Sequence, residues 1–254
     1  ASARALTQSS PIHSIYGISA WWEATNLDAI DVSDPEDGQV VSTWKDQNPQ
    51  SITKNNVGQS TFGAKPTYRI NRINNLPAIS FDGGDYLNIA SVSSDNFFPD
   101  PQQATAFFVF NSPSNTLHQI FIDFEQTGAP TNRFSVMINP SNLSPNSGIR
   151  FDYAYNATDF VAPTNVSNKP TIVTVHRRNS DQTIYVNGVS DSYRSSAPAI
   201  TPFTSEFGIG RYRTGILYFN GSIGEIIIFN RGLKNEERQA VERYLGKKWG
   251  IKIP

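Results

Sequence analysis

Hydrophobic and polar positions change their period near the end of the chain, and that change is its clearest structural signal. In the stretch FNGSIGEIIIFN (219–230), Ile223, Glu225, Ile227 and Phe229 alternate with Gly224, Ile226, Ile228 and Asn230, and both sets are largely apolar. A strand apolar on both faces is buried on both, which makes it central to a sheet. From Asn235 the period becomes helical. Ala240, Val241, Tyr244, Leu245 and Trp249 fall on one side, with Glu237, Arg238, Glu242 and Lys247 mostly on the other, as in an amphipathic helix lying on a sheet. Asn235 is placed to cap its first turn, Glu236 and Glu237 suit the positive end of its dipole, Lys247 and Lys248 suit the negative end, and Gly250 stops it.

Period-2 segments fill the rest. In IYGISAWW (15–22), Ile18, Ala20 and Trp22 share one face and Ser19 and Trp21 the other; both tryptophans reach a core only if this strand is central. The run AFFVF (106–110) is apolar on both faces. IFIDFE (120–125), 135–138, 148–155 and 171–177 are further strands, and TIYVNG (183–188) leads into a hairpin turn. Turn clusters such as DGGD (82–85) separate these runs, and the chain holds 17 glycines and 16 prolines, which points to an all-β antiparallel fold. No linker divides the motifs, so we expect a lead-in segment at 1–14 and one domain at 15–254.

Composition narrows the functions. A net charge of −1 with scattered signs leaves no basic footprint for nucleic acid or an anionic membrane surface. The absence of cysteine excludes disulfides, thiolate metal sites and a cysteine nucleophile. No apolar run approaches the roughly 20 residues of a membrane span.

The closing strand and helix resemble the end of the LamG-like, concanavalin A-like jelly-roll domains of bacterial surface proteins. WWEA (21–24), GQVVSTWKD (38–46), PTY (66–68), NNLPAISFDG (74–83) and YVNG (185–188) are similar to that family in content and order. Lys234 departs from it, standing where the family usually places a Ser or Thr helix cap. The resemblance implies a two-sheet antiparallel jelly-roll sandwich (concanavalin A-like) with a C-terminal amphipathic helix. It does not single out an activity, because this fold carries lectins, hydrolases, lyases and adhesion modules. ASARALTQSSP (1–11) resembles the segment after the membrane helix of pilin-like proteins, which implies an exported head whose only membrane link is an N-terminal anchor absent from this sequence.

The candidate chemistry lies mostly on one strand. Asp123 and Glu125 share a face, with Cβ atoms roughly 7 Å apart. Laminarinase-like hydrolases of this superfold use a Glu-x-Asp-x-Glu strand, and here the first Glu position is Phe121, so a retaining pair is missing a member. The alginate-lyase pattern Gln-x-His is present only in the wrong order, around His118 and Gln119. Phe151 and Tyr153 face one way with Arg150 and Asp152 opposite, while Thr174, His176 and Arg178 oppose Val173 and Val175. If these polar faces belong to the concave sheet, Asp123, Glu125, Arg150, Asp152 and His176 line a shallow groove suited to sugar hydroxyls; otherwise they form an ordinary half-solvated sheet face. Arg211, Tyr212 and Arg213, in a loop before the closing strand, are a second contact patch. Trp21 is either a core residue or a sugar-stacking platform. Calcium is the one cofactor considered, at the acidic loop 31–38 or at Asp82 and Asp85, where the bland alternative is a turn. Four Asn-x-Ser/Thr sequons, at Asn142, Asn156, Asn165 and Asn220, carry no weight in a chain this rich in Asn and Ser. Three functions stay open: a non-catalytic recognition module for a glycan or another cell-surface partner, a polysaccharide-degrading enzyme using Asp123 and Glu125, and a structural subunit of a surface appendage.

Overall fold

A computed structural model of the chain describes residues 11–31, 36–113, 118–129, 132–139, 148–153 and 160–254. The start of the lead-in, the centre of the 31–38 acidic loop, Asn142, Asn156 and the end of the 148–155 segment lie outside the described residues. In chain order the strands are β1 (Ile18–Glu23), β2 (Gln39–Val40), β3 (Thr43–Trp44), β4 (Val57–Gly58), β5 (Thr67–Ile73), β6 (Leu76–Asp82), β7 (Leu87–Ser93), β8 (Gln103–Asn111) and β9 (Gln119–Glu125). They continue as β10 (Arg133–Asn139), β11 (Gly148–Tyr153), β12 (Val161–Ala162), β13 (Thr171–Arg178), β14 (Asp181–Val186), β15 (Val189–Arg194), β16 (Thr204–Ile209) and β17 (Asn220–Phe229), followed by helix α1 (Asn235–Trp249).

Among the described residues these strands form two sheets. The first runs β15-β14-β13-β8-β17-β6-β5-β2, with β1 also paired to β17; the second runs β12-β11-β10-β9-β16-β7-β4-β3. Adjacent strands are antiparallel, and the result is the expected jelly-roll sandwich with a C-terminal helix. One aromatic-rich core fills the space between the sheets. A second lies on the outer face of the first sheet, under α1 and the short Pro11–Ser14 turn.

The closing strand is central, bordered by β8 on one side and by β6 and β1 on the other, but its faces differ from a simple alternation. A bulge between Ile223 and Glu225 places Ile223 with Ile226 and Ile228 in the inter-sheet core. Ile227 and Phe229 go to the helix side. The bulge falls on Gly224, where a Cβ would lie 2.4 Å from the Trp249 ring, so the glycine lets the helix settle on the strand. A similar shift between Ile18 and Ala20 moves Ile18 to the face of Trp21. Both tryptophans are buried, yet among the described residues β1 pairs with a strand on one edge only. Side chains close the other edge: Asp46 accepts from Trp21 N–H at 2.9 Å, while Asn48 and Asn55 donate to the carbonyls of Ile18 and Ser19, both at 2.9 Å. The expectation that β1 must be central is corrected: polar side chains replace the missing strand.

The helix begins with Asn235 as its first residue and Lys234 as the cap, one position earlier than expected, and Glu237 accepts the Lys234 N–H at 2.9 Å. Gly250 ends it with φ 64°, the left-handed conformation that glycine takes most cheaply. Arg238 and Glu242, expected at the surface, are buried. They pair with each other, Arg238 lies over the Tyr185 ring, and Glu242 accepts from Thr174 at 2.8 Å.

Glu225 faces the helix and is 0% exposed. It accepts from Trp21 Nε1 at 2.8 Å, Trp249 Nε1 at 2.8 Å and Lys248 Nζ at 2.7 Å. Burial pushes its carboxyl up, against the pull of Lys248. Burial likewise opposes the Lys248 charge, but the carboxylates of Glu225 and Glu23 hold its ammonium above the usual lysine range. Removing the acid leaves two buried indole donors unpartnered and the Lys248 ammonium with Glu23 alone, 2.8 Å away, so Glu225→Ala should cost about 3 kcal/mol. Urea unfolding of the variant checks this, and a loss below about 1 kcal/mol would show that the carboxylate is dispensable.

Candidate functional site

The outward face of the second sheet gathers most of the predicted polar residues. Register sets Gly208 opposite Asp123, Asp123 opposite Ser135, and Ser135 opposite Asp152, so one row crosses β16, β9, β10 and β11. Glu125 and Arg133 form the next pair on the same face. The inward neighbours Phe124, Phe134, Val136, Phe151 and Tyr153 belong to the inter-sheet core, which fixes the polar set outward. After β16 the chain turns at Gly210, with φ 89° and so close to Phe81 that a Cβ would lie 2.7 Å from its ring. The following loop, closed by a bridge between Tyr212 and Ile216, returns over the row.

This loop and the strands join in one charge network. Glu125 accepts from Tyr212 Oη and Arg213 Nη2, both at 2.8 Å, and its other oxygen pairs with Arg133. Arg133 also reaches Asp152 at 3.1 Å, and Arg150 lies 2.9 Å from the same carboxylate. Asp123 accepts from Ser135 Oγ and, at 3.0 Å, from the Arg213 N–H. Burial raises the Asp123 carboxyl above its ordinary range against these donors. Two carboxylates, Glu125 and Asp152, thus meet three guanidiniums, while Asp123 is held by neutral donors, and all three acids are buried. Charges held out of water require such pairing, and here each acid is already committed to a partner in the fold. Phe121, at the missing position of the hydrolase pattern, packs inward on Phe110 and Phe219 with ring centroids 4.3 and 4.9 Å apart. The network does supply a third carboxylate, Asp152, but Arg133 and Arg150 hold it.

Six of the seven predicted site residues lie on or beside this face. Asp123, Glu125, Arg150, Asp152 and Tyr212 share the network, while Arg211 stands next to it, 2.9 Å from Glu206 and 3.4 Å above the Tyr86 ring. His176 does not join them. It belongs to β13 of the other sheet, paired with β8, and its Nε2 lies 3.1 Å from the Leu233 carbonyl. Burial lowers its pKa, and its place in the other sheet, against the segment leading into the helix, keeps it out of the groove. Trp21 is buried beneath the helix and donates to Glu225, which removes it as a stacking platform. Arg133 and Ser135 went unrecognised, although their alternation with Phe134 and Val136 was a usable signal once β10 was paired to β9.

The proposed calcium positions at Asp82 and Asp85 are occupied by turn chemistry. Asp85 accepts from Asp82 N–H at 3.0 Å and Asp82 from Gly84 N–H at 2.8 Å. Among the described residues no group of three or more His, Asp or Glu side chains is arranged to hold a metal.

Among the described residues, two clefts elsewhere are lined mainly by hydroxyl and amide groups. One, of about 330 Å³, lies at the side-chain-closed edge of β1, between Tyr16, Asn48, Asn55 and Asn96. The other, of about 490 Å³, lies on the outer face of the first sheet, among Thr67, Arg72, Ser80, Asn111, Asn220 and Ser222.

Residues 81–237, more than half of the chain, match the family model Laminin_G_3, described as the concanavalin A-like lectin/glucanases superfamily. No curated protein matches the sequence. Domain 4 of AbnA, a GH43 extracellular arabinanase from Geobacillus stearothermophilus solved in complex with arabinotriose, is similar with a TM-score of 0.56 and 15% identity, over 87% of this chain and 96% of that one. Trypanosoma rangeli sialidase in complex with sialic acid is similar with a TM-score of 0.58 and 13% identity, over 92% of this chain but only 33% of the sialidase. At these identities the likeness is one of fold.

Arg133 bridges two buried acids, whereas Arg213 is partly exposed and shares Glu125 with it. Arg133→Ala should therefore cost about 3–5 kcal/mol and Arg213→Ala about 1 kcal/mol. Denaturant unfolding of the two variants compares them, and equal losses would contradict the bridging role.

Proposed function

The chain belongs to the concanavalin A-like lectin/glucanases superfamily, and from that premise we propose that it is a non-catalytic recognition module that binds glycans. The observation that carries this reading is the state of the acids on the second sheet: Glu125 and Asp152 are each held by two arginines, and Asp123 by a hydroxyl and a backbone N–H. Glycoside hydrolysis needs one carboxyl free to give a proton and another free to attack or to activate water. Neither role is available to Glu125 or Asp152 while each is the counter-ion of two guanidiniums, which leaves Asp123 without a free second carboxyl. The hydrolase reading is the weaker one for that reason, and because Phe121 packs inward.

Binding asks less of a site. Hydroxyl and amide groups along an open cleft can exchange hydrogen bonds with a sugar, and both clefts provide them. The arabinotriose of the arabinanase domain and the sialic acid of the sialidase belong to those proteins; they support a saccharide as the ligand class here. We place the module outside the cell, with residues 15–254 as one body and 1–14 leading from a pilin-like anchor, on the resemblance of the first eleven residues to that class. No described helix is long and apolar enough to cross a membrane. A structural subunit without a small ligand is the remaining alternative.

A glycan array, run with calcium and again with chelator, tests the reading. Binding should appear and survive chelation, since Asp82 and Asp85 are engaged in their own turn. Incubation of each bound glycan with the protein should release no new reducing ends. Reproducible cleavage would refute the non-catalytic assignment, and a blank array in both conditions would refute glycan binding.

A further inference from the structure

We infer that the saccharide site is the cleft on the outer face of the first sheet, and that it takes an acidic oligosaccharide whose charge is met by Arg72; this rests on the glycan-binding reading and gives it a place and a ligand class. Register aligns Thr67 of β5, Ser80 of β6, Ser222 of β17 and Asn111 of β8 in one row across four strands. Their neighbours Tyr68, Ile79, Phe81, Phe110 and Ile223 fill the inter-sheet core, so the row faces outward. Four adjacent strands span roughly 14 Å, room for a short oligosaccharide laid across them.

The two clefts differ in how much of their hydrogen-bonding capacity the fold has already used. At the edge of β1, Asn48, Gln50 and Asn55 are tied to backbone groups of Ile15, Gly17, Ile18 and Ser19. In the cleft on the first sheet, Ser80 and Ser222 share one hydrogen bond at 2.8 Å, which satisfies one hydroxyl proton and leaves the other. Asn111 Oδ1 is buried and has no partner among the described residues, an arrangement that costs free energy unless something donates to it. The Asn220 side chain, exposed beside them, has no hydrogen bond among the described residues.

The β5 end of the row supplies charge. A register irregularity between Arg69 and Ile73, with Asn71 at φ 55°, carries Arg72 to the cleft. Arg69 is engaged by Asp37 through contacts of 2.9 and 3.3 Å. Arg72 makes no hydrogen bond or ion pair among the described residues, though its charge is felt by Asp37, and it lines the cleft with Arg69 and the Asp82 carboxylate; its guanidinium has the geometry that meets a carboxylate or sulfate.

Calorimetric titration with trigalacturonate and with uncharged galactotriose tests the inference. The acidic sugar should bind more tightly. Arg72→Ala should weaken it roughly tenfold, the loss of one charge-assisted hydrogen bond, without changing the neutral sugar, while Asn220→Ala should weaken whichever sugar binds. Both residues are exposed, and unchanged melting temperatures would confirm that the variants fold. Tyr16→Ala and Asn96→Ala, in the other cleft, should leave binding intact. If those two abolish binding and the first pair do not, the location is wrong while glycan recognition stands. If neither sugar binds the unmodified protein at millimolar concentration, or the neutral one binds better, the acidic-ligand inference is overturned, and the array decides separately whether any glycan is bound.

Discussion

Taking a carboxylate fully out of water costs several kcal/mol even after the protein relaxes around it, and Glu225 sits in the middle of a sheet with no solvent contact. The fold offsets that cost by converging on it. Trp21 comes from the first strand, while Lys248 and Trp249 come from the last turn of the helix. Each donor reaches the acid only if β1 lies beside β17 and α1 lies across them, so satisfying one charge fixes three elements. The apolar contacts of the outer core supply the attraction, and the carboxylate supplies the register.

The second sheet follows the same rule with a different result. Its acids are also buried and also partnered, Glu125 and Asp152 by arginines from neighbouring strands and from the loop after β16, and Asp123 by a hydroxyl and a backbone N–H. Pairing makes that face a cross-linked cover over the inter-sheet core. Titratable groups that resemble an enzyme's in type and spacing are thereby drawn into the scaffold. In the proposed reading, recognition falls to neutral hydroxyls and amides, which a sheet can present without the burial cost of a charge, and to the exposed cation at the rim of one cleft.

Much of this was legible from residue order. The two-faced apolar pattern of 223–229 located the central strand, the change of period at Asn235 located the helix, and the alternation around Asp123 and Asp152 put each acid on the polar face of its strand, with their meeting on one sheet left to the pairing. Bulges hid the rest. Single-residue irregularities before Ala20 and before Glu225 exchange the faces of their strands, and a two-residue one in β5 projects a side chain, and period-2 reasoning cannot see them without knowing the partner strand. His176 was misplaced for a related reason: strand pairing over a long sequence distance, here with β8, decides which sheet a polar face belongs to. Arg133 was overlooked because its meaning lies in bridging β9 and β11, a relation no single segment displays.

The most direct test is to map a bound acidic oligosaccharide by nuclear magnetic resonance on the isotopically labelled chain. The account predicts shift changes concentrated at Thr67, Arg72, Ser80, Asn111 and Ser222, with the side-chain carboxyl signals of Glu125 and Asp152 unmoved and the sugar intact at the end of the titration. Changes centred on Asp123 and Glu125, with the sugar cleaved, would contradict it and restore the second sheet as a catalytic face.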